Sequence, residues 1–174
     1  MYISQKILPV LTAACLLTGI SMAQKPNASR LAADNRFITK AAQDGMAEVE
    51  MGQMAVQHAS NDRVKQFGQR IIDDHSKAND ELKKIVSQKG VTVPSTADAK
   101  SKATIDKLAK LNGAAFDRAY MQDMVKDHSE DIAEFKREAE SGDDSDVKAF
   151  ASKTLPTLQD HLSMAQDIEK ELRK

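Results

Sequence analysis

The sequence contains little of what several common protein classes require. Its 174 residues include one cysteine, no tryptophan, seven glycines and four prolines. The single cysteine, Cys15, has no partner for an intramolecular disulfide. No glycine-rich phosphate loop and no motif around a nucleophilic serine or cysteine occurs, so these catalytic classes have no support. No segment alternates polar and apolar residues as a half-buried strand does.

The chain also lacks an excess of charge of either sign. The chain has 25 basic and 26 acidic residues, with a formal net charge of −1. A nearly neutral chain with interleaved signs has no electrostatic footprint for nucleic acid. No basic amphipathic stretch favours a membrane surface. We therefore predict no nucleic-acid partner.

The longest apolar run lies at the N-terminus. Lys6 precedes an apolar stretch over 7–20, and Ser21-Met22-Ala23 follows as a small-residue cleavage site. This pattern is typical of a secretory signal peptide, which we place at 1–23. The run is shorter than the roughly 20 residues that span a bilayer. The sequence thus predicts export, no transmembrane segment in the mature chain, and a flexible mature N-terminus over 24–33.

Lipidation of Cys15 is an alternative reading of the same segment. Leu11 to Cys15 weakly resembles a lipoprotein cleavage box. Because Leu16, Leu17 and Ile20 continue the apolar run beyond the cysteine, we favour cleavage after Ala23.

The rest of the chain, 34–172, has helical periodicity and forms one predicted domain. Four long helices are expected at about 34–59, 63–88, 114–140 and 146–172, and a short helix at about 100–111. The segment Asn61–Phe67 resembles Asp144–Phe150, and each copy opens the second helix of a hairpin. Two hairpins joined by a long crossover predict an all-α, ferritin-like four-helix bundle.

Each of the four long helices has one polar residue on its apolar face. These residues are, in helix order, Glu48, His75, His128 and His161. Glu48 and His75 lie equally far from the first predicted turn, and His128 and His161 equally far from the second. In an antiparallel hairpin such residues share a level, here about 20 to 25 Å from the turn at 1.5 Å per residue. We therefore expect all four side chains to meet near mid-bundle.

Three imidazoles and a carboxylate suit a transition metal, and we consider Zn, Cu and Fe. The four residues are the predicted ligands. An aspartate precedes each histidine and is turned about 100° away from it on an ideal helix, so it is not expected to bind the same ion. These residues, Asp74, Asp127 and Asp160, are instead predicted to accept hydrogen bonds from histidines on adjacent helices.

Two alternatives remain open at this stage. The same residues can form a buried hydrogen-bonded network without metal in a structural or interaction module, with an envelope partner or self-association. A metal-dependent enzyme would need an open coordination position. Di-iron carboxylate chemistry is disfavoured because Glu-x-x-His pairs are missing: Ile72, Val125 and Leu158 stand three residues before the histidines.

A particular combination of residues is spread over the predicted domain. It comprises Phe37, Ala41-Ala42, Glu48-Val49-Glu50, Ala55, Asp74-His75, Gly113, Phe116-Asp117, Tyr120, His128, Leu155-Pro156 and His161-Leu162. In this combination the chain resembles the bacterial family called domain of unknown function 4142, over about 34–168. The resemblance implies a ferritin-like bundle exported to the cell envelope of Gram-negative bacteria, and it implies no particular activity. We expect the protein in the periplasm, with outer-membrane association as the alternative.

Overall fold

The computed structural model describes residues 28–174, so the predicted signal peptide and Cys15 lie outside the described residues. The described chain contains five α-helices and no strand, which confirms the all-α prediction. No helix within it is both long and apolar enough to cross a membrane. The helices are α1 Ala28–His58, α2 Asp62–Lys89, α3 Ala99–Leu108, α4 Gly113–Ser141 and α5 Ser145–Leu172.

The largest difference from the predicted boundaries is the start of α1. This helix begins at Ala28, six residues before the predicted start at Asp34. Residues 28–33, expected to be flexible, read Ala-Ser-Arg-Leu-Ala-Ala and are helical. Alanine, leucine and arginine have the highest intrinsic helix propensities, so this stretch extends the helix without needing a buried face.

The repeated sequence segment caps the second helix of each hairpin. The Asn61 side chain accepts hydrogen bonds from the backbone N–H groups of Arg63 and Val64 at the start of α2. Asp144 accepts the equivalent bonds from Asp146 and Val147 at the start of α5. Each cap satisfies N–H groups that have no partner within the helix.

Each hairpin turn is also held by a buried aspartate from the other hairpin. Asp117, near the start of α4, accepts hydrogen bonds from Ser60 N at 3.1 Å, Ser60 Oγ at 2.5 Å and Asn61 N at 3.1 Å. Asp34, near the start of α1, accepts bonds from Asp143 N at 3.3 Å and Asp144 N at 2.8 Å. The two turns therefore lie at opposite ends of the bundle, and α1 and α4 are antiparallel.

Ion pairs show that α2 and α5 are antiparallel as well. Lys89, at the end of α2, contacts Asp144 and Asp146 at the start of α5, and Arg63 contacts Glu171 at the other end. It follows that α2 and α4 run in the same direction, so the chain between them must travel the length of the bundle. This segment contains α3, which packs on α1 and α4. The structure thus has the predicted two hairpins and one long crossover, the connectivity of ferritin-like folds.

The apolar core is divided into two clusters. One surrounds Phe67 and Phe116 toward the turn between α1 and α2. The other surrounds Phe37 and Phe150 toward the turn between α4 and α5. The predicted polar residues lie between these clusters, so the middle of the bundle is polar and both ends are apolar.

Glu138 is a second buried carboxylate at the turn between α4 and α5. It is 6% exposed, and its Oε1 has no hydrogen-bond partner among the described residues. Burial, together with the neighbouring Asp34 carboxylate, raises the pKa of Glu138 to about 7. A carboxyl group whose pKa is raised on folding stabilises the protein below its unfolded pKa and loses that contribution as the pH rises through the folded value.

We predict that Glu138→Gln removes part of the alkaline loss of stability. The variant and the wild type should have similar free energies of unfolding near pH 5, and the variant should be more stable by roughly 1–2 kcal/mol at pH 8. Urea unfolding at both pH values measures this difference. Glu140→Gln, an exposed change on the same helix, should show no such pH dependence. An equal effect of the two substitutions would contradict the prediction.

Candidate metal centre

Three histidines from three helices meet in the middle of the bundle. His75 of α2 is 6% exposed, and His128 of α4 and His161 of α5 are fully buried. Their ring centroids are 5.6 Å apart for His75 and His128, and 5.3 Å apart for each of the other two pairs. The Phe67 ring, which belongs to the apolar cluster on that side, packs against His128 and His161.

One nitrogen of each ring faces an acceptor on the outside of this group. His75 Nδ1 lies 2.7 Å from Glu48 Oε2. His128 Nδ1 lies 3.1 Å from the backbone oxygen of Met124, one turn earlier in α4. His161 Nε2 lies 3.0 Å from Asp74 Oδ2 on α2. Carboxylates and backbone carbonyls in these positions hold an imidazole in one tautomer and orientation.

The nitrogens left by these contacts are His75 Nε2, His128 Nε2 and His161 Nδ1. The last two are 3.3 Å apart. His75 Nε2 is buried and has no hydrogen-bond partner among residues 28–174. One nitrogen from each of the three rings lies within 4.8 Å of one from both others, a spacing compatible with a shared ion.

The contacts of His128 and His161 require more protons than two neutral rings carry. The Met124 oxygen and the Asp74 carboxylate accept hydrogen bonds at the two ends of this chain of contacts. Two neutral imidazoles have two N–H groups between them. If both point outward to these acceptors, the lone pairs of His128 Nε2 and His161 Nδ1 face each other. Such an arrangement is unfavourable unless a cation lies beside both nitrogens.

Burial keeps the three rings neutral. It lowers the pKa of His75 to about 4 and that of His161 to about 4. Burial, with the neighbouring His75 and His161, also holds the pKa of His128 well below its ordinary value. An additional proton is therefore a poor solution to the facing lone pairs. The neutral imidazole is also the form that binds metal.

Two of the predicted carboxylates reach the histidines. Glu48 is 1% exposed, and besides the contact with His75 its Oε1 lies 3.5 Å from His128 Nδ1. Both of these are outer nitrogens, so Glu48 is placed to orient the rings, whereas the sequence predicted a ligand. Asp74 contacts His161 on the adjacent helix. Although partial burial opposes it, this hydrogen bond and the charge of Arg70 hold the pKa of Asp74 below its usual value.

The other two aspartates lie elsewhere. The Asp160 side chain is 71% exposed and faces Arg70 at 3.9 Å. Its position on the outer face of α5 explains why the prediction of a histidine contact is wrong. Asp127 makes no hydrogen bond to a histidine within the described residues and instead joins Glu48 and Asp131, one oxygen of each lying within 4.8 Å of the others. We call Asp44, Glu48, Asp127 and Asp131 the carboxylate cluster.

The carboxylate cluster contains two residues that the sequence reasoning missed. Asp131 is 3% and Asp44 is 6% exposed, and Lys40 pairs with both. Burial, with Glu48 and other nearby carboxylates, raises the pKa of Asp131 to about 9, and burial raises that of Asp127 to about 6. A signal was present, because Asp131 lies three residues after His128 and so shares its helix face.

The profile of the family described as "Domain of unknown function (DUF4142)" matches residues 20–168, and the chain belongs to this family. None of the curated proteins matches it. Two crystal structures have the same fold at low sequence identity. One is a DUF305 protein from Streptomyces coelicolor, described as secreted, with a TM-score of 0.69, 17% identity, and coverage of 80% of this chain and 93% of that one. The other is a DUF305 fragment from Deinococcus radiodurans, with a TM-score of 0.71, 11% identity, and coverage of 80% and 96%.

Tyr120 is a further buried polar residue near the centre. It is fully buried between Phe67 and Phe116, and its hydroxyl has no hydrogen-bond partner in the described part of the chain. Burial, with the charges of Glu48 and Asp123, raises the pKa of Tyr120 well above its ordinary value. A buried hydroxyl without a partner costs free energy that phenylalanine does not.

We predict that Tyr120→Phe leaves the metal-free protein as stable as the wild type, or more stable by up to about 1 kcal/mol. Denaturant unfolding in the presence of a chelator measures the change. Met121→Ala, which truncates the adjacent buried side chain, should in contrast lose about 2–5 kcal/mol. A loss of more than about 2 kcal/mol in Tyr120→Phe would mean that the hydroxyl has a bound partner.

Proposed function

We propose that this member of the DUF4142 family is an exported protein that binds one divalent transition metal ion through His75, His128 and His161. Its predicted signal peptide and the secreted DUF305 protein of the same fold support export. The family resemblance supports a location in the cell envelope, and we propose the periplasm. The role is metal binding or handling in that compartment.

The observation that carries the proposal is the arrangement of the ring nitrogens. Each ring has one nitrogen occupied by an outer acceptor, and one nitrogen of each ring lies within 4.8 Å of one from both others. In a tetrahedral site with metal–nitrogen bonds of 2.0–2.1 Å, two ligand nitrogens are about 3.3 Å apart. His128 Nε2 and His161 Nδ1 are separated by 3.3 Å. This distance is longer than the usual hydrogen bond of about 2.9 to 3.0 Å.

A metal ion also resolves the conflict between the facing lone pairs. With the ion between His128 Nε2 and His161 Nδ1, both rings donate outward to the Met124 oxygen and to Asp74. The same ion gives His75 Nε2 the partner that it lacks among the described residues. Burial raises the pKa of Glu48 well above its ordinary value. Because the positive charge of the ion favours the ionised form of Glu48, metal binding should release protons.

Imidazole ligands suit Zn²⁺, Cu²⁺ and Fe²⁺. The nitrogen spacing matches the tetrahedral geometry that Zn²⁺ adopts, and three histidines with a fourth, exchangeable ligand are an established zinc set. Cu²⁺ binds most nitrogen sites more tightly than other divalent ions, so availability in the envelope also decides which metal is found.

The space beside His75 is small. A cavity of about 20 Å³ is lined by Glu48, His75 and Asp131, among others. This volume is enough for one water molecule and too small for a larger substrate. The dimensions favour a binding function over turnover of an organic substrate.

We predict that the mature protein, purified without an affinity tag, contains about one equivalent of transition metal by elemental analysis. Removal of the metal should lower the melting temperature, because a ligand that binds only the folded state stabilises it. Readdition of the identified metal should restore it. A protein without metal that neither loses stability on chelation nor gains it from Zn²⁺, Cu²⁺ or Fe²⁺ would instead have a buried network that serves stability alone.

Single histidine variants provide the second test. Replacing His75, His128 or His161 by alanine should weaken metal binding at least about 100-fold, since each removes a ligand and the outer contacts alone account for about 10- to 100-fold. His58→Ala is the matched control, because His58 contacts the backbone oxygen of Leu111 and stacks on Phe116, away from the centre. Metal content that is unchanged in all three variants would refute the proposal.

A further inference from the structure

We infer that the carboxylate cluster is a second cation site, which takes a hard divalent ion of the Mg²⁺ or Mn²⁺ class beside the histidine site. One oxygen each of Glu48, Asp127 and Asp131 lies within 4.8 Å of the others. Oxygen ligands from carboxylates and water are those that such ions prefer, whereas nitrogen ligands suit the later transition metals. The two adjacent sites therefore differ in the ions they select.

The cluster is built symmetrically by the internal repeat. A spacing of 83 residues relates Asn61 to Asp144, and the same spacing relates Asp44 to Asp127 and Glu48 to Asp131. Asp44 and Glu48 are four residues apart on α1 and so lie on one face of that helix, as Asp127 and Asp131 do on α4. Because α1 and α4 are antiparallel neighbours, these two faces meet across one interface.

An unpartnered buried atom points to a ligand at this place. Glu48 is 1% exposed, and its Oε1 has no hydrogen-bond partner within the described residues. Burying a carboxylate oxygen that accepts no hydrogen bond costs more free energy than burying one that does. The cavity of about 20 Å³ next to it is lined by Asp44, Glu48 and Asp131, so an ion or its water ligand has space against this oxygen.

Among the described residues, only one ammonium group pairs directly with the cluster. Lys40, whose side chain is 40% exposed, forms the ammonium ion pairs of these four acidic groups in this part of the chain. Lys40 Nζ lies 3.5 Å from Asp131 and pairs with Asp44, both of which line the cavity. A divalent ion between the aspartates would compensate more charge than Lys40 does, and Lys40 can release toward solvent because its stem is only partly buried.

A second small cavity borders the cluster beneath α3. It has a volume of about 40 Å³ and is lined by Asp123 and Asp127 together with residues of α3, among them Lys100 and Thr104. Asp127 thus both lines this cavity and belongs to the carboxylate cluster. Where both sites are filled, Glu48 lies between them, since it contacts His75 and belongs to the cluster; this two-metal arrangement rests on the proposed function.

Manganese binding to the zinc-loaded protein tests the second site. The full mature chain is stripped with a chelator, given one equivalent of Zn²⁺, and titrated with Mn²⁺, whose free fraction is read by electron paramagnetic resonance. We expect one equivalent of bound Mn²⁺. Asp127→Asn and Asp131→Asn should each weaken it at least about tenfold, because ligand charge sets the affinity of such sites. Lys40→Gln, which removes the competing ammonium, should strengthen it.

Asp160→Asn is the matched control, since it removes an exposed carboxylate of the neighbouring helix. Equal Mn²⁺ affinity in the wild type, Asp127→Asn and Asp131→Asn would overturn the inference, as would a protein that holds zinc and takes up no Mn²⁺. Zinc content measured on the same samples separates the two proposals. If zinc does not bind but Mn²⁺ binds in the wild type and is lost in the two asparagine variants, the carboxylate site stands and the histidine site fails.

Discussion

The cost of burying polar groups at mid-bundle is the constraint on which the rest of this structure depends. Three imidazoles and Glu48 occupy the level where a four-helix bundle would ordinarily be apolar. Their desolvation is offset only where each polar atom finds a partner. The outer nitrogens find theirs in Glu48, Asp74 and the Met124 carbonyl. Of the inner nitrogens, His75 Nε2 has no partner among the described residues, and His128 Nε2 and His161 Nδ1 have only each other. This imbalance favours a bound ion over a closed network.

Stability must therefore come from the two ends of the bundle. Apolar clusters around Phe67 and around Phe150 lie on either side of the polar level. Each end is also closed by an aspartate, Asp34 or Asp117, that holds the turn of the opposite hairpin. These long-range contacts set the register of the hairpins against each other. The same register brings His128 and His161 to the level of His75.

Much of the fold was predictable from local signals. Helical periodicity identified the four long helices, and the repeated capping segment at Asn61 and Asp144 located their turns. The convergence of the histidines also followed from counting residues to each turn. Side-chain direction was harder, because a rotation of one position decides whether an aspartate such as Asp160 faces solvent or the core. The start of α1 at Ala28 was missed because the first residues of this helix have high helix propensity but no apolar periodicity.

The internal repeat shows which of the central residues the fold itself requires. Positions related by 83 residues share their structural roles at Asp34 and Asp117, and their charge at Glu48 and Asp131. The histidines break this pattern, since the counterparts of His75, His128 and His161 are Leu158, Gly45 and Ala78. Both halves form the same hairpin, so small or apolar residues serve packing at these positions. At each of these related positions one half of the chain has an imidazole, whose burial costs free energy of desolvation and which the hairpin does not need. The placement of the imidazoles around one point is thus better explained by a ligand than by folding.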